Sequence, residues 1–211
     1  SLNFFGTTKG LEKKFGPMRV FETPTSENAM TGIGVGMSLN NNPCVMMHQR
    51  LDFFLLAMDQ LVNSAAKWHY MFGGKKSVPI TIRLVVGKGW GQGPTHSQSL
   101  QSWFSHIPGL KVVMPTFPAD AYNLLKTSIR DPNPVIFIEH RWLHNLEQET
   151  KKIKYKNQKY LPELISKGKD FTVVSYSLST IEILSLKKVL KLNNLSFDLI
   201  DLKSIKPLNI S

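Results

Sequence analysis

With 211 residues and 42% apolar composition, the chain can bury one large core, or one full domain and part of another. Its formal charge of +11 and pI near 9.7 raise nucleic acid and anionic membranes as partners. Much of the excess, however, sits in residues 151–169 (KKIKYKNQKYLPELISKGK), while residues 20–140 mix both signs, so that stretch reads either as a solvated linker or as a patch for an acidic partner. No apolar run approaches the roughly 18–20 residues of a membrane helix, because FFLLAM is cut by Asp59 and Gln60. The N-terminus lacks the order of a signal peptide. A single cysteine, Cys44, forms no internal disulfide and fits a reducing, cytoplasmic setting, or the mitochondrial matrix or plastid of a eukaryote.

In chain order, residues 26–39 can start a helix from a Thr25 or Ser26 cap. PCVMM (43–47) reads as a strand, residues 53–70 repeat apolar positions at helical spacing, and VPITIRLVV (78–86) is a second strand. The glycine loop GKGWGQGPTHSQ (87–98) follows it. LKVVMP (110–115) and PVIFIE (134–139) are strands on either side of a helical pattern over 119–130. The pattern fades over 140–170 and resumes with the strand FTVVSY (171–176), a helix over 181–192 and the strand FDLIDL (197–202). Strands apolar almost throughout, alternating with helices, predict an α/β fold: a parallel sheet with helices on both faces. Residues 1–139 read as one such domain, 140–170 as linker and 171–211 as the start of a second α/β domain. That second unit is expected to be incomplete, since one strand-helix-strand crossover cannot bury its own faces. Consistent with this, Ser-Leu-Asn and Asn-Ile-Ser read as cut points.

The glycine loop has neither the GxxxxGK[ST] nor the GxGxxG spacing of a phosphate cradle. It is a flexible bend at the carboxyl end of a parallel strand, where open α/β sheets collect their ligands. His96 within it is either a helix-start residue bonded to a nearby carbonyl or a proton donor at the mouth of a pocket. Glu27 lies in the first turn of a helix, where the dipole alone accounts for an acid. Phe53 and Phe54 read as core residues of the long helix. CxxC, HExxH and GxSxG are all absent. His48, His69, His106, His140 and His144 show no zinc-ligand spacing.

TPTSE, DQLVNSAAK, HSQS, IPGLKVV and IRDPNPV occur in that order. Together they resemble the beta subunit of thiamine-diphosphate-dependent 2-oxo acid dehydrogenases of the pyruvate or branched-chain type, and more widely the transketolase pyrimidine domain. The resemblance runs from about Gly10 to Pro207. It implies that Glu27 hydrogen-bonds a ring nitrogen of the cofactor's aminopyrimidine. A proton shared there favours the imino tautomer that deprotonates the thiazolium carbon. By the same resemblance Phe53 packs on the aminopyrimidine face. His96 stands as the active-site histidine, with Thr95 replacing the more usual glutamine. A potassium-type site is implied at Asp131 and Asn133 with the carbonyls of Ile80, Ser128 and Ile129, hard oxygen ligands in a turn; Asp-Pro-Asn-Pro is also simply a good turn. The chain departs from the family at MMHQRLDFF, which is one residue longer and more basic than the usual run, so His48, Gln49 and Arg50 are expected to meet an unusual acyl group, a phosphate or a partner.

The family binds diphosphate and Mg through a GDG stretch, which is missing here. The resemblance therefore implies a separate alpha-type subunit holding the diphosphate and Mg, an alpha2beta2 heterotetramer with the site at its interface, and an inactive isolated chain. A glutamate that family members carry upstream of KGLEKKFG is expected before Ser1. The reaction implied is oxidative decarboxylation of a small 2-oxo acid with acyl transfer to lipoamide, and the basic stretch could dock a lipoyl-bearing core subunit. Two alternatives stand beside it. One is a split transketolase or an acyloin-forming carboligase using the same cofactor; the other is a silent scaffold or basic nucleic-acid-binding protein. Retained Glu27 and His96 oppose silence, and the lack of basic residues interleaved with aromatics opposes nucleic acid.

Overall fold

The structure, a computed structural model, describes residues 4–89, 91–148 and 160–209. Trp90 of the glycine loop and residues 149–159 of the basic stretch lie outside the described residues. The strands are β1 Cys44–His48, β2 Ile80–Val86, β3 Lys111–Val113, β4 Val135–His140, β5 Glu163–Ser166, β6 Phe171–Ser175, β7 Phe197–Asp201 and β8 Ser204–Lys206. A larger sheet runs β1-β2-β4-β3-β8, and a smaller one β5-β7-β6.

β1, β2, β4 and β3 are mutually parallel, in keeping with their almost continuous apolar character, since a strand covered on both sides has little room for a polar face. Every residue of β2 is buried, and successive residues serve opposite cores. Ile82, Leu84, Val86, Ile136 and Ile138 pack with Val35 of α2 (Glu27–Leu39) and with Leu51, Phe54 and Leu61. Val113, Val135 and Phe137 pack on the other side with Leu124 of α6 (Pro118–Ile129) and with Tyr160. Helices thus cover both faces.

The stretch read as one helix over 53–70 changes pitch along its length. It comprises α3 Leu51–Phe54, a 3-10 turn Leu55–Ala57, a π-helical segment Gln60–Ala65 and α4 Ala66–Met71. No proline or glycine marks the change, so apolar spacing alone could not show it. Short helices α1 Leu11–Phe15 and α5 Gln101–His106 complete the larger unit.

Two strands went unread in the sequence. β5 falls inside the stretch taken as linker and pairs antiparallel with β7; four residues, two of them exposed, carry no periodic signal. β8 returns antiparallel to β3 and makes that edge of the larger sheet mixed. The expected crossover is present: β6 and β7 are parallel, joined by α7 Leu178–Leu192. It does not stand alone, because buried polar ties join it to the larger unit. Thr116 Oγ1 donates to Asp201 Oδ1 at 2.9 Å, Lys203 Nζ donates to Asp120 Oδ1 at 2.7 Å, and the Met114 amide donates to the Lys203 carbonyl at 2.8 Å. No helix among the described residues is long and apolar enough to cross a membrane.

Candidate active site

β1, β2 and β4 point the same way, so the segments following His48, Val86 and His140 gather at one end of the sheet. This is the end where parallel α/β sheets bind ligands. After β1 comes Arg50 and α3. After β2 comes the glycine loop, in which Gly89, Gly91 and Gly93 have φ of 69°, 68° and 79°. A side chain at those positions would be strained, which explains the alternating glycines. After β4 comes a one-turn helix, Arg141–Asn145, whose Trp142 Nε1 donates to the Lys88 carbonyl at 2.8 Å.

The glycine loop closes into a single 3-10 turn, Pro94–His96. There the His96 ring meets Phe53 of α3 edge to face, with centroids 5.4 Å apart and planes at 86°. Thr95 Oγ1 lies 3.0 Å from His96 Nδ1, so the ring's local partner is a hydroxyl rather than the expected carbonyl, and Nε2 remains for proton exchange. The two phenylalanines divide as well: Phe54 is fully buried, whereas Phe53 is half-buried beside the half-buried His96. Residue 53 is therefore only half-buried, with its ring set against His96. Glu27 opens α2 after Ser26, which takes the N-cap position without a side-chain hydrogen bond. α2 packs on the Leu55–Ala57 turn just past Phe53, and Asn28, next to Glu27, accepts from Gln60 Nε2 at 3.3 Å. Glu27 is half-buried.

The departure MMHQRLDFF faces inward. His48 is 4% exposed and stacks edge to face on Phe54 at 4.9 Å; burial pushes its pKa down to about 4, so it is a neutral core imidazole. Arg50 is 7% exposed. Its Nη2 donates to Gln92 Oε1, and its guanidinium lies 5.8 Å from the Phe5 ring centroid. Neither side chain turns outward to a partner surface, contrary to one expectation from the sequence.

The residues of the potassium-type site also come together, at the opposite end of the sheet. Thr81, next to Ile80, pairs with Val135, which follows the Asp-Pro-Asn-Pro turn. Ser128 and Ile129 close α6 just before that turn. The Asp131 carboxylate is already committed: Oδ2 accepts from Lys111 Nζ and, at 2.9 Å, from Tyr160, while Oδ1 accepts from the Asn133 amide at 3.0 Å and from Asn133 Nδ2 at 3.2 Å. Ser128 Oγ donates back to the Leu124 carbonyl at 2.7 Å. An ion there would therefore be held by main-chain carbonyls, which the carboxyl end of a helix supplies, and not by these side chains. Among the described residues, no group of three or more His, Cys, Asp and Glu gathers as a metal site. A cleft of about 610 Å3, lined in part by Lys75, Lys76 and Arg130, also lies at this end, away from His96.

Residues 4–145 match the family model "Transketolase, pyrimidine binding domain", and the chain belongs to that family. It is 38% identical over 210 residues to the pyruvate dehydrogenase E1 component subunit beta of Rhizobium meliloti (strain 1021), covering 98% of this chain and 45% of that one. It is also 38% identical over 205 residues to the acetoin:2,6-dichlorophenolindophenol oxidoreductase subunit beta of Cupriavidus necator, covering 97% of this chain and 60% of the other. Among solved structures it is similar to a split gene transketolase, described as an inactive beta4 tetramer, with a TM-score of 0.75 at 20% identity over 97% of this chain and 63% of that one. That likeness carries the fold. The chain spans about half to two-thirds of the length of these relatives.

Proposed function

We propose that this chain is the beta subunit of a thiamine-diphosphate-dependent 2-oxo acid dehydrogenase. It would oxidatively decarboxylate a 2-oxo acid of the pyruvate or branched-chain type and pass the acyl group to lipoamide. The observation that carries the reading is the meeting of His96 and Phe53 at the carboxyl end of the sheet, beside the helix that opens with Glu27. The residues present fit the pyrimidine half of the cofactor: a half-buried aromatic ring, an acid at the start of an adjoining helix and an imidazole with one nitrogen uncommitted.

When bound, thiamine diphosphate supplies the carbon nucleophile at which a 2-oxo acid loses carbon dioxide. Phe53 would pack against the aminopyrimidine, and Glu27 would hold a proton at one of its ring nitrogens. His96, oriented through Nδ1 by Thr95, would exchange a proton at Nε2 with the oxygen of the substrate's keto group, or give one to the lipoyl sulfur that leaves as the acyl group opens the dithiolane disulfide. Phe53 and His96 are half-buried rather than enclosed, which supports a site completed by a second chain. That chain is an alpha-type subunit carrying the diphosphate and Mg in an alpha2beta2 assembly, served by a lipoyl-bearing core subunit. Potassium bound by the carbonyls of Ile80, Ser128, Ile129, Asp131 and Asn133 would brace the far end of the sheet. Residues 1–139 form the pyrimidine-binding unit, residues 140–170 the linker, which lends β5 to the sheet of the second unit, and residues 171–211 the start of that unit.

The equal identity to an acetoin oxidoreductase beta subunit favours a second reading in which the same residues cleave or form an acyloin. One experiment addresses both. The full-length chain is copurified with its alpha-type partner, supplied with thiamine diphosphate and Mg, and assayed with an artificial electron acceptor on 2-oxo acids and on acetoin, for wild type and Glu27→Gln. Turnover that needs both chains and falls at least about 100-fold in the variant, with cofactor still bound, supports the shared site, and the preferred substrate decides between the readings. Failure of the pair to bind cofactor removes both.

A further inference from the structure

Two side chains at the start of α3 grip the glycine loop on either side of His96. Upstream of it, Arg50 Nη2 donates to Gln92 Oε1. Downstream of it, Asp52 Oδ1 accepts both from the Gln98 backbone amide at 3.3 Å and from Gln98 Nε2 at 2.8 Å. His96 lies between these two points in the chain, and the Phe53 ring that it touches at 5.4 Å is the neighbour of Asp52. Among the described residues, the loop has few other polar ties to the rest of the fold. It pairs with no strand, its described residues 88–95 are exposed, and Gly89, Gly91 and Gly93 stand in the left-handed region, where glycine adds freedom. Other bonds, such as Ser97 Oγ to the Gly93 carbonyl at 3.1 Å, run within the loop and set its local shape without tying it to the sheet. Lys88 is tied twice, through its carbonyl to Trp142 and through its ammonium to Glu182 of α7 at 2.7 Å, but it lies farther along the chain from His96 than either grip.

The backing for this grip is firm. Asp52 is half-buried on a turn whose neighbours Leu51 and Phe54 are fully buried in the core, so its carboxylate cannot drift with the loop. Arg50 is itself buried and rests against the Phe5 ring. One oxygen accepting two N–H groups is a charge-assisted contact, stronger than its neutral counterpart. The stretch that departs most from the family pattern, HQRLDFF, is thus the stretch that holds the loop.

We infer that Asp52 is a positioning residue: its hydrogen bonds to Gln98 fix the loop so that the His96 imidazole stays against Phe53, with Arg50 steadying the same loop through Gln92. The inference rests on the proposed role of His96. A loop released by about an ångström would leave cofactor binding intact and cost turnover, because proton transfer depends on position more steeply than binding does.

The test uses the full-length complex with its alpha-type partner, loaded with thiamine diphosphate and Mg, in wild-type, Asp52→Ala, Asp52→Asn, Gln98→Ala and His96→Ala forms. Asp52→Ala and Gln98→Ala are expected to lower kcat roughly 10- to 100-fold while cofactor affinity and Tm stay near wild type. Asp52→Asn, which keeps an oxygen acceptor at the same place, is expected to recover most of the loss. Wild-type kcat in Asp52→Ala beside an impaired His96→Ala overturns the inference and leaves the site reading standing. Full activity in His96→Ala overturns both. Loss of cofactor affinity and Tm together with kcat, without rescue by asparagine, shows Asp52 to be structural only and also overturns it.

Discussion

The ion pair between Arg83 and Glu139 offers a demanding test of how the sheet supports the site. Arg83 of β2 and Glu139 of β4 lie on the same face of neighbouring parallel strands. Nε and Nη2 reach the two carboxylate oxygens at 2.9 and 2.8 Å, a bidentate match. The side chains are only 10% and 12% exposed, so solvent screening is slight, and His144 lies 4.0 Å from Glu139. Removing one partner strands a buried charge, and Glu139→Leu or Arg83→Met should each cost about 3–5 kcal/mol. For a chain of this size that lowers Tm by roughly 6–20 °C. Replacing both ions restores a dry, filled face, and the double variant should return to within about 1 kcal/mol of wild type. Urea denaturation at neutral pH of the four proteins closes the cycle. A single substitution costing less than about 1 kcal/mol would mean that the pair behaves as a surface bridge, and a double variant as weak as the singles would mean that the pair stabilises the fold outright; either result refutes the reasoning.

Burial holds the pKa values of His48 and His140 down at about 4, so each contributes stability that is complete above pH 6.5 and lost as pH falls towards 4, at most about 3 kcal/mol apiece. Burial raises Asp201 to about 6, and its contribution of about 3 kcal/mol runs the other way, present below pH 3.8 and lost as pH rises through 6. The histidines prevail: Tm should fall from pH 6.5 to 4, and Asp201→Asn should raise Tm at pH 8 and steepen the acid loss; a Tm rising below pH 6 contradicts the assignment. At Gly109, with φ 94°, an added Cβ would stand 2.0 Å from the Ala66 carbonyl oxygen, so Gly109→Ala should cost about 3 kcal/mol or more. Gly36→Ala, on an open stretch of α2, should instead gain roughly 0.5–1 kcal/mol; thermal melts of the pair make the comparison. If the carbonyls near Asp131 hold potassium, KCl should raise Tm saturably, by about 2.7 kcal/mol of stability at 100 times Kd, where choline chloride at equal ionic strength does not; identical curves dismiss the ion.

Some of this was legible in the sequence and some could not be. VPITIRLVV and PVIFIE announce buried parallel strands because they are apolar almost throughout, the one charge in each, Arg83 and Glu139, being neutralised by the other, and all seven residues of β2 are indeed buried. The same rule fails for Glu163–Ser166, whose strand pairing depends on β7 far along the chain and leaves its first two residues exposed. Ser204–Lys206 escaped notice for a like reason: it is held by Val112 and Val113 across the fold, and its own three residues carry no pattern. In both cases the determining interaction is non-local, and propensity has nothing to register.

The site divides along the same line. Glu27 and His96 are visible as residue types in suggestive places, but helix dipoles and loop turns accommodate an acid and a histidine equally well without any chemistry. What separates the readings is a meeting in space: an imidazole set edge to face on Phe53 while Phe54, one residue on, is fully buried. A helical period assigns adjacent residues to faces about 100° apart but cannot say which face a distant loop will touch. Asp52 shows the limit most sharply. Within LDFF it looks like an ordinary first-turn acid, and only its two contacts with Gln98 reveal a carboxylate whose work is done on another segment. Asp131 makes the converse point, since an aspartate in a turn invites a cation, yet here its oxygens are occupied by a lysine, a tyrosine and an asparagine. A side chain's chemistry becomes function only once its partners are counted, and in a sheet fold those partners arrive from strands and loops that local sequence does not connect.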